Sequence, residues 1–262
     1  NTDTYGRNAV WTDYYAVYHF QGTAGTSGKV ADSTGNSRNL TENTSPSATT
    51  GKLTSDSSGG YDFDGLAGQT SSNSYDWLDR PGSDVLADIG SSAFTFSCWW
   101  NPDISPTVAF HQINLEVNGA TGRPFSYIVY GPDSGDYYPV FGMETSTSGA
   151  NSPTNTSINI STGNWYYMVG GRDSSNYPFQ FTNGTLVTSA STESGSFSST
   201  GAPFYINRRY NTSYGSARRY GDGKMDEVRL RMSYLNENWM DTEYNNQNDE
   251  ATFWGTWTDV ST

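Results

Sequence analysis

The sequence predicts an all-β protein, a sandwich of two antiparallel sheets with one short helix near the C-terminal end. Three observations carry this expectation. Apolar and polar residues alternate with period two in segment after segment, each bounded by Gly, Pro, Asn or Asp, which is the pattern of half-buried strands. Ser, Thr, Asn and Gly fill the intervening chain; they favour turns, because short polar side chains compete for backbone hydrogen bonds in helix interiors. Only NENWMDTEYNNQ has helical character. Many short strands and one helix leave nothing to build the crossovers of a parallel sheet.

The elements follow in order. YAVYHF (Tyr15 to Phe20) is the first strand. The polar, Gly-rich stretch from Gly22 to Gly59 reads as a loop holding one strand or as a tethered insertion. GYDFDG (Gly60 to Gly65) is a strand, and AFTFSCWW (Ala93 to Trp100) alternates Phe94, Phe96, Cys98 and Trp100 on one face. Trp99 should therefore face away from the core, or into a second sheet. FHQINLEV, FSYIVYG and YYPVFGME are three consecutive strands, and NWYYMVGGRD is another. YPFQFTNGTLVTSA is a hairpin, since Asn183-Gly184 suits a type I′ turn. APFYINRR and GKMDEVRLRM close the series. Asn236 is the expected N-cap of the helix, with about two turns to follow.

Length and composition bound the function. A chain of 262 residues fits one sandwich domain, here 1–262, with an N-terminal arm (1–13), the helix (236–246) and a C-terminal tail (247–262). With 34% hydrophobic and 15% aromatic residues, the core must be largely aromatic. A net charge of −13 with only Lys29, Lys52 and Lys224 as lysines excludes nucleic acid as a partner, because phosphates would be repelled. Cys98 is the single cysteine, so no intrachain disulfide or Cys-based metal site exists; it reads as a small core residue. No apolar run reaches membrane-spanning length, so no membrane insertion is expected. The chain begins at Asn1 without a methionine or signal peptide, as expected of a mature form or an excised piece of something longer.

The order of the motifs adds a resemblance. YAVYHF, DSTGNSRNL, GYDFDG, FTFSCWWNP, GNWYYMVGGRD, FTNGTLV, PFYINRR and GKMDEVRLRMSYLNENWMDTEY fall in one series. The series resembles the laminin-G-like branch of the concanavalin A-like lectin and glucanase superfamily, over roughly residues 14 to 246. The stretches TYGRNAVWTDYYAVYHF and NWMDTEYNNQND also look like domains of large secreted microbial or phage surface proteins. The resemblance implies a jelly roll, glycan binding, one calcium ion and a secreted or virion-surface location. Fold analogy alone does not assign function, because the superfamily holds lectins, hydrolases, lyases and spacers.

The residues argue against catalysis. The E-x-D-x-E triplet of the glucanase relatives is missing, and Asp62 and Asp64 share a face without a third acid. Asp226 and Glu227 are adjacent, so a regular strand points them to opposite faces and makes no dyad. His111 and Gln112 lie in one strand, which is commonplace, and His19 reads as a hydrogen-bonded core histidine. A non-catalytic glycan-binding module is the expectation, ahead of a polysaccharide hydrolase or lyase. The alternative is a structural or adhesive subunit, as a homo-oligomer or within a larger surface assembly.

Two candidate sites follow. RRYNTSYGSARRY gathers Arg208, Arg209, Tyr210, Tyr214, Arg218 and Arg219 in an otherwise acidic chain, with Trp77 as an exposed aromatic near a turn. Forked guanidiniums beside aromatic rings suit carboxylated or sulfated glycans; otherwise the arginines only pair with surrounding acids. In the resembling family the DSTGN turn and the closing DEV strand lie near each other. Asp32, Asn36 and Asp226 are therefore the expected calcium ligands, the bland reading being an Asx turn and a strand start.

Overall fold

The computed structural model describes residues 10–20, 29–53, 59–65, 69–70, 75–83, 85–105, 110–115, 125–130, 136–143, 145, 151–197, 202–210 and 218–249. In chain order the strands are β1 (Tyr14–Tyr18), β2 (Lys29–Val30), β3 (Leu40–Asn43), β4 (Ser47–Thr49), β5 (Gly60–Phe63) and β6 (Gln69–Thr70). There follow β7 (Trp77–Ser83), a short helix Val85–Ile89, β8 (Phe94–Pro102), β9 (Phe110–Leu115), β10 (Phe125–Tyr130) and β11 (Tyr138–Met143). The last elements are β12 (Tyr166–Arg172), β13 (Pro178–Thr182), β14 (Thr185–Thr188) and β15 (Ala202–Ile206). The chain closes with β16 (Arg208–Tyr210), β17 (Arg218–Tyr220), β18 (Gly223–Arg231) and the C-terminal helix Glu237–Asn248.

Two antiparallel sheets form the sandwich. One runs β14-β13-β12-β8-β18-β5-β4, with β1 also paired to β18; the other runs β11-β10-β9-β15-β7-β3-β2. The alternation that predicted the strands also sorts their side chains. Phe94, Phe96, Cys98 and Trp100 of β8 point between the sheets, where they meet Phe63, Leu78, Phe141, Phe204, Val228 and Leu230. Cys98 is fully buried there, and burial pushes its thiol well above the ordinary range. Trp99 does face away from that core, but it is not exposed. With Tyr167, Val169, Phe179 and Phe181 it makes a second cluster, roofed by Leu235 and by Met240 of the C-terminal helix.

The turn at Asn183-Gly184 has both residues in the left-handed region (φ 45° and 86°), as the hairpin requires. Asn236 caps the C-terminal helix by accepting from Trp239 N–H at 3.1 Å, and the helix runs 12 residues, longer than the two turns expected. The segment read as a loop holding one strand or as a tethered insertion contributes three strands, because β2, β3 and β4 extend the two sheets. The five-residue helix Val85–Ile89 is too short for an apolar stripe to announce it, and its placement comes from burying Val85 and Ile89 in the core.

Candidate functional site

Asp32 organises the turn after β2. It is 4% exposed. Its Oδ1 accepts from the N–H groups of Val17 (3.1 Å) and Thr34 (2.9 Å). Its Oδ2 accepts from the Thr34 hydroxyl (2.7 Å) and Arg38 N–H (2.9 Å). A carboxylate has about four acceptor sites, and here all are taken by donors. The turn is thereby tied to β1, and two side chains are fixed. Asn36 Nδ2 donates to the carbonyls of Tyr14 (3.1 Å) and Tyr15 (3.2 Å). Arg38 Nη1 donates to Tyr15 O at 2.9 Å, and its guanidinium lies 3.6 Å over the Tyr15 ring. Arg38 Nη2 also stands 3.6 Å from the Asp88 carboxylate.

These groups line a groove of about 530 Å³. Thr12, Asp13 and Tyr14 form one wall, Asn36 and Arg38 a second; Asp88 and the Met232-Ser233 turn complete it. Asp13 (side chain 65% exposed) pairs with Arg231 at 3.1 Å, and Asp88 is 44% exposed. The half-buried Tyr14 ring is braced edge-on by Trp11, with ring centroids 5.1 Å apart. The groove thus offers two carboxylates as acceptors, a guanidinium as donor, and an aromatic ring. Two acids balance Arg38 and Arg231, so its chemistry suits a neutral, hydroxyl-rich ligand rather than an ion.

The three residues of the expected calcium set each make protein contacts of their own. The Asp32 carboxylate accepts from four donors. Asn36 points its amide nitrogen at backbone carbonyls and lines the groove. Asp226 instead packs on the loop after β4, where its Oδ2 accepts from Lys52 N–H at 2.8 Å. Among the described residues, no three His, Cys, Asp or Glu side chains gather as a metal site.

Asp226 and Glu227 correct another expectation. Asp226 pairs with Trp99 while Arg229 pairs with Ser97, so three steps on β18 match two on β8. The extra residue is Glu227, held at φ 53°. This bulge cancels the alternation and brings both carboxylates to the outer face of the sheet. Burial, then the charge of Glu227, push the Asp226 carboxyl up to about 7. Its Oδ1 has no partner within hydrogen-bonding geometry, although the N–H groups of Lys52, Glu227 and Leu53 temper its charge. Burial also acts upward on Glu227, but the His19 hydrogen bond and Arg229 outweigh it and hold this carboxyl below its usual value. His19 Nδ1 lies 2.6 Å from Glu227 Oε1, and Glu227 Oε2 accepts from Arg229. Arg229 reaches Glu243 of the C-terminal helix at 3.4 Å, and Glu243 accepts from the Tyr167 hydroxyl. His19 is hydrogen-bonded as expected, but outside the inter-sheet core. With Glu227 at 5% exposure, this row pins the end of β1 and the helix to the sheet.

The arginine-rich segment is a hairpin. β16 and β17 pair Arg208 with Tyr220, Arg209 with Arg219 and Tyr210 with Arg218, and β6 joins them as a third strand. Arg208 meets one of its proposed companions: its guanidinium lies 3.9 Å over the Trp77 ring and 5.1 Å over Tyr205. Trp77 opens β7 and is half-buried rather than exposed, because Arg208 and Tyr205 cover it. Tyr214 lies outside the described residues, as do the side chains of Arg209, Tyr210, Arg218, Arg219, His111 and Gln112.

Tyr14, Arg38, Asp13 and Asp88 were not singled out by the sequence. Arg38 alone left a trace, as the partner six residues after the Asp of a DSTGN turn.

The chain belongs to the concanavalin A-like lectin and glucanase superfamily: the profile of its laminin-G-type branch matches residues 72–239. Among curated proteins no sequence matches. Solved structures share the fold. The binding domain of botulinum neurotoxin DC, solved with rat synaptotagmin II, has a TM-score of 0.60 at 9% identity, covering 90% of this chain and 52% of that one. A botulinum neurotoxin type C structure, whose cell entry is described as dependent on two ganglioside molecules, gives 0.60 at 10%, covering 90% and 51%. Domain 4 of AbnA, a GH43 extracellular arabinanase from Geobacillus stearothermophilus, solved with arabinotriose, gives 0.58 at 16%, covering 87% and 97%. The chain thus spans about half the length of the neurotoxin chains it matches.

Proposed function

We propose that this domain is a non-catalytic glycan-binding module of a secreted or virion-surface protein, and that it takes a neutral sugar in the groove beside β1. The observation that carries this reading is the fixed turn. Asp32 locks Arg38 and Asn36 into a wall facing Asp13, Asp88 and the Tyr14 ring, so donors, acceptors and an aromatic surface are in place before any ligand arrives. Preorganisation of this kind removes part of the ordering cost of binding. The matched fold is found in binding domains, one of them solved with arabinotriose, which supports the reading without naming the sugar.

Hydrolysis needs two carboxylates across an open cleft. The pair with divergent proton affinities, Asp226 and Glu227, is buried and used structurally, so purified protein should release no reducing ends from a polysaccharide panel.

Calorimetry with gluco-, xylo- and arabino-oligosaccharides tests the groove. Asp88→Ala and Arg38→Ala should each weaken binding about tenfold, equivalent to about 1.4 kcal/mol. Asp88, being exposed, should do so with an unchanged melting temperature. Equal affinity in both variants would remove the groove from the reading. Reducing ends released by the wild type and lost in Glu227→Gln would replace it with an enzyme.

A further inference from the structure

The Trp239 side chain lies outside both packed clusters. It is 58% exposed on the first turn of the C-terminal helix, while its neighbour Met240 is fully buried against the sheet. Around the indole, Asn236, Asn238 and Thr242 enclose a depression of about 280 Å³. Asn236 commits its Oδ1 to capping Trp239 N–H, which leaves its Nδ2 as a donor for a ligand. Thr242 donates to Asn238 O at 2.7 Å and keeps its hydroxyl oxygen as an acceptor. A protein partner would favour a contiguous apolar patch; here one isolated ring has a polar rim. That combination fits a ligand with an apolar face and hydroxyl edges, which describes a pyranose or furanose ring.

The C-terminal helix also reaches the groove wall. Residues four apart share a helix face, and Glu243, four residues beyond Trp239, reaches Arg229 at 3.4 Å. Arg229 lies 5.4 Å under the Trp11 ring, next to Thr12 of the groove wall. Ser233 lines the groove and Asn236 lines the depression, three residues apart, so their Cα atoms are separated by at most about 11 Å. A few linked sugar rings span that distance.

Resting on the glycan reading, we infer that Trp239 is a second subsite of the same surface, stacking one ring of a linear neutral oligosaccharide whose other end occupies the groove. The ligand is then a chain of several units, and affinity grows with its length.

Ladders of gluco-, xylo- and arabino-oligosaccharides from one to six units, titrated against wild type, Trp239→Ala and Trp239→Phe, test this. Wild-type affinity should rise with length. Trp239→Ala should flatten the rise, losing about tenfold for the longest sugars and little for the shortest, and Trp239→Phe should restore part of it. Melting curves should coincide, because the side chain is exposed. Identical ladders for wild type and Trp239→Ala overturn the subsite and leave the groove standing. Loss of all binding in the wild type overturns both. A concentration-dependent dimer that disappears in Trp239→Ala, with glycan affinity unchanged, assigns the indole to a second copy of the chain and also overturns the subsite.

Discussion

Replacing Asp226 by Asn should stabilise the protein at pH 8 and not at pH 4. The Asp226 carboxyl is 2% exposed, one oxygen has no partner, and its proton affinity is lifted from 3.8 to about 7 by burial and by Glu227. Below pH 3.8 both folded and unfolded chains hold the proton, and the residue contributes nothing to the pH dependence. As pH rises through the window from 3.8 to 7 the unfolded chain releases the proton first, so stability falls. Above 7 the full penalty is present, about 4 kcal/mol at about 1.36 kcal/mol per unit. Asn imitates the protonated acid and keeps the acceptor for Lys52 N–H, but it buries an amide that lacks an acceptor, at a cost of about 1–3 kcal/mol. The net gain at pH 8 is about 2 kcal/mol, or about 4–8 °C in melting temperature for a chain of this size. Scanning calorimetry of both proteins at pH 4 and pH 8 measures it. Equal destabilisation by Asp226→Asn at the two pH values would refute the reasoning, because it would mean that the charged carboxylate is well satisfied in the fold. If that destabilisation at pH 8 vanished in chelator, a cation beside Asp226 and Glu227 would be the cause.

Asp32→Ala should cost about 3–5 kcal/mol, since it strands the buried Val17 and Thr34 N–H groups and frees Arg38, and urea melts should show the same loss in calcium and in chelator. A loss confined to calcium-containing buffer would restore Asp32 as an ion ligand. In the arginine hairpin, Arg209 stands directly opposite Arg219, an arrangement that like charges disfavour unless an anion or acidic side chain intervenes. If that anion is a sulfated or carboxylated glycan, Arg209→Ala and Arg218→Ala should weaken binding to heparin-type sugars at unchanged melting temperature, and equal retention on such a column would remove the hairpin as a site.

The sequence by itself determined many of the strands, the inward face of β8 and the family, but not β6, β7 or the number of strands between Gly22 and Gly59. Period-two alternation is a local property: each of Phe94, Phe96, Cys98 and Trp100 chooses its side from its neighbours alone, and Asn183-Gly184 fixes its turn from two backbone conformations. Arrangement beyond one strand is different, because it depends on what the other elements bring. Whether Trp99, facing outward, is wet or buried was settled by a helix 140 residues later that needed an apolar floor for Met240. The bulge at Glu227 is invisible in an alternating string, since one extra residue in the ladder is defined only by the register of β8 beside it. Asp32 looked the same as a turn residue or an ion ligand until folding showed where its four donors come from, one of them in β1. The groove itself joins the first strand, a turn, a short helix and the end of the last strand. Such a constellation has no sequence signature, because the physics that assembles it is the burial of the two sheets and not any interaction among the residues that line it.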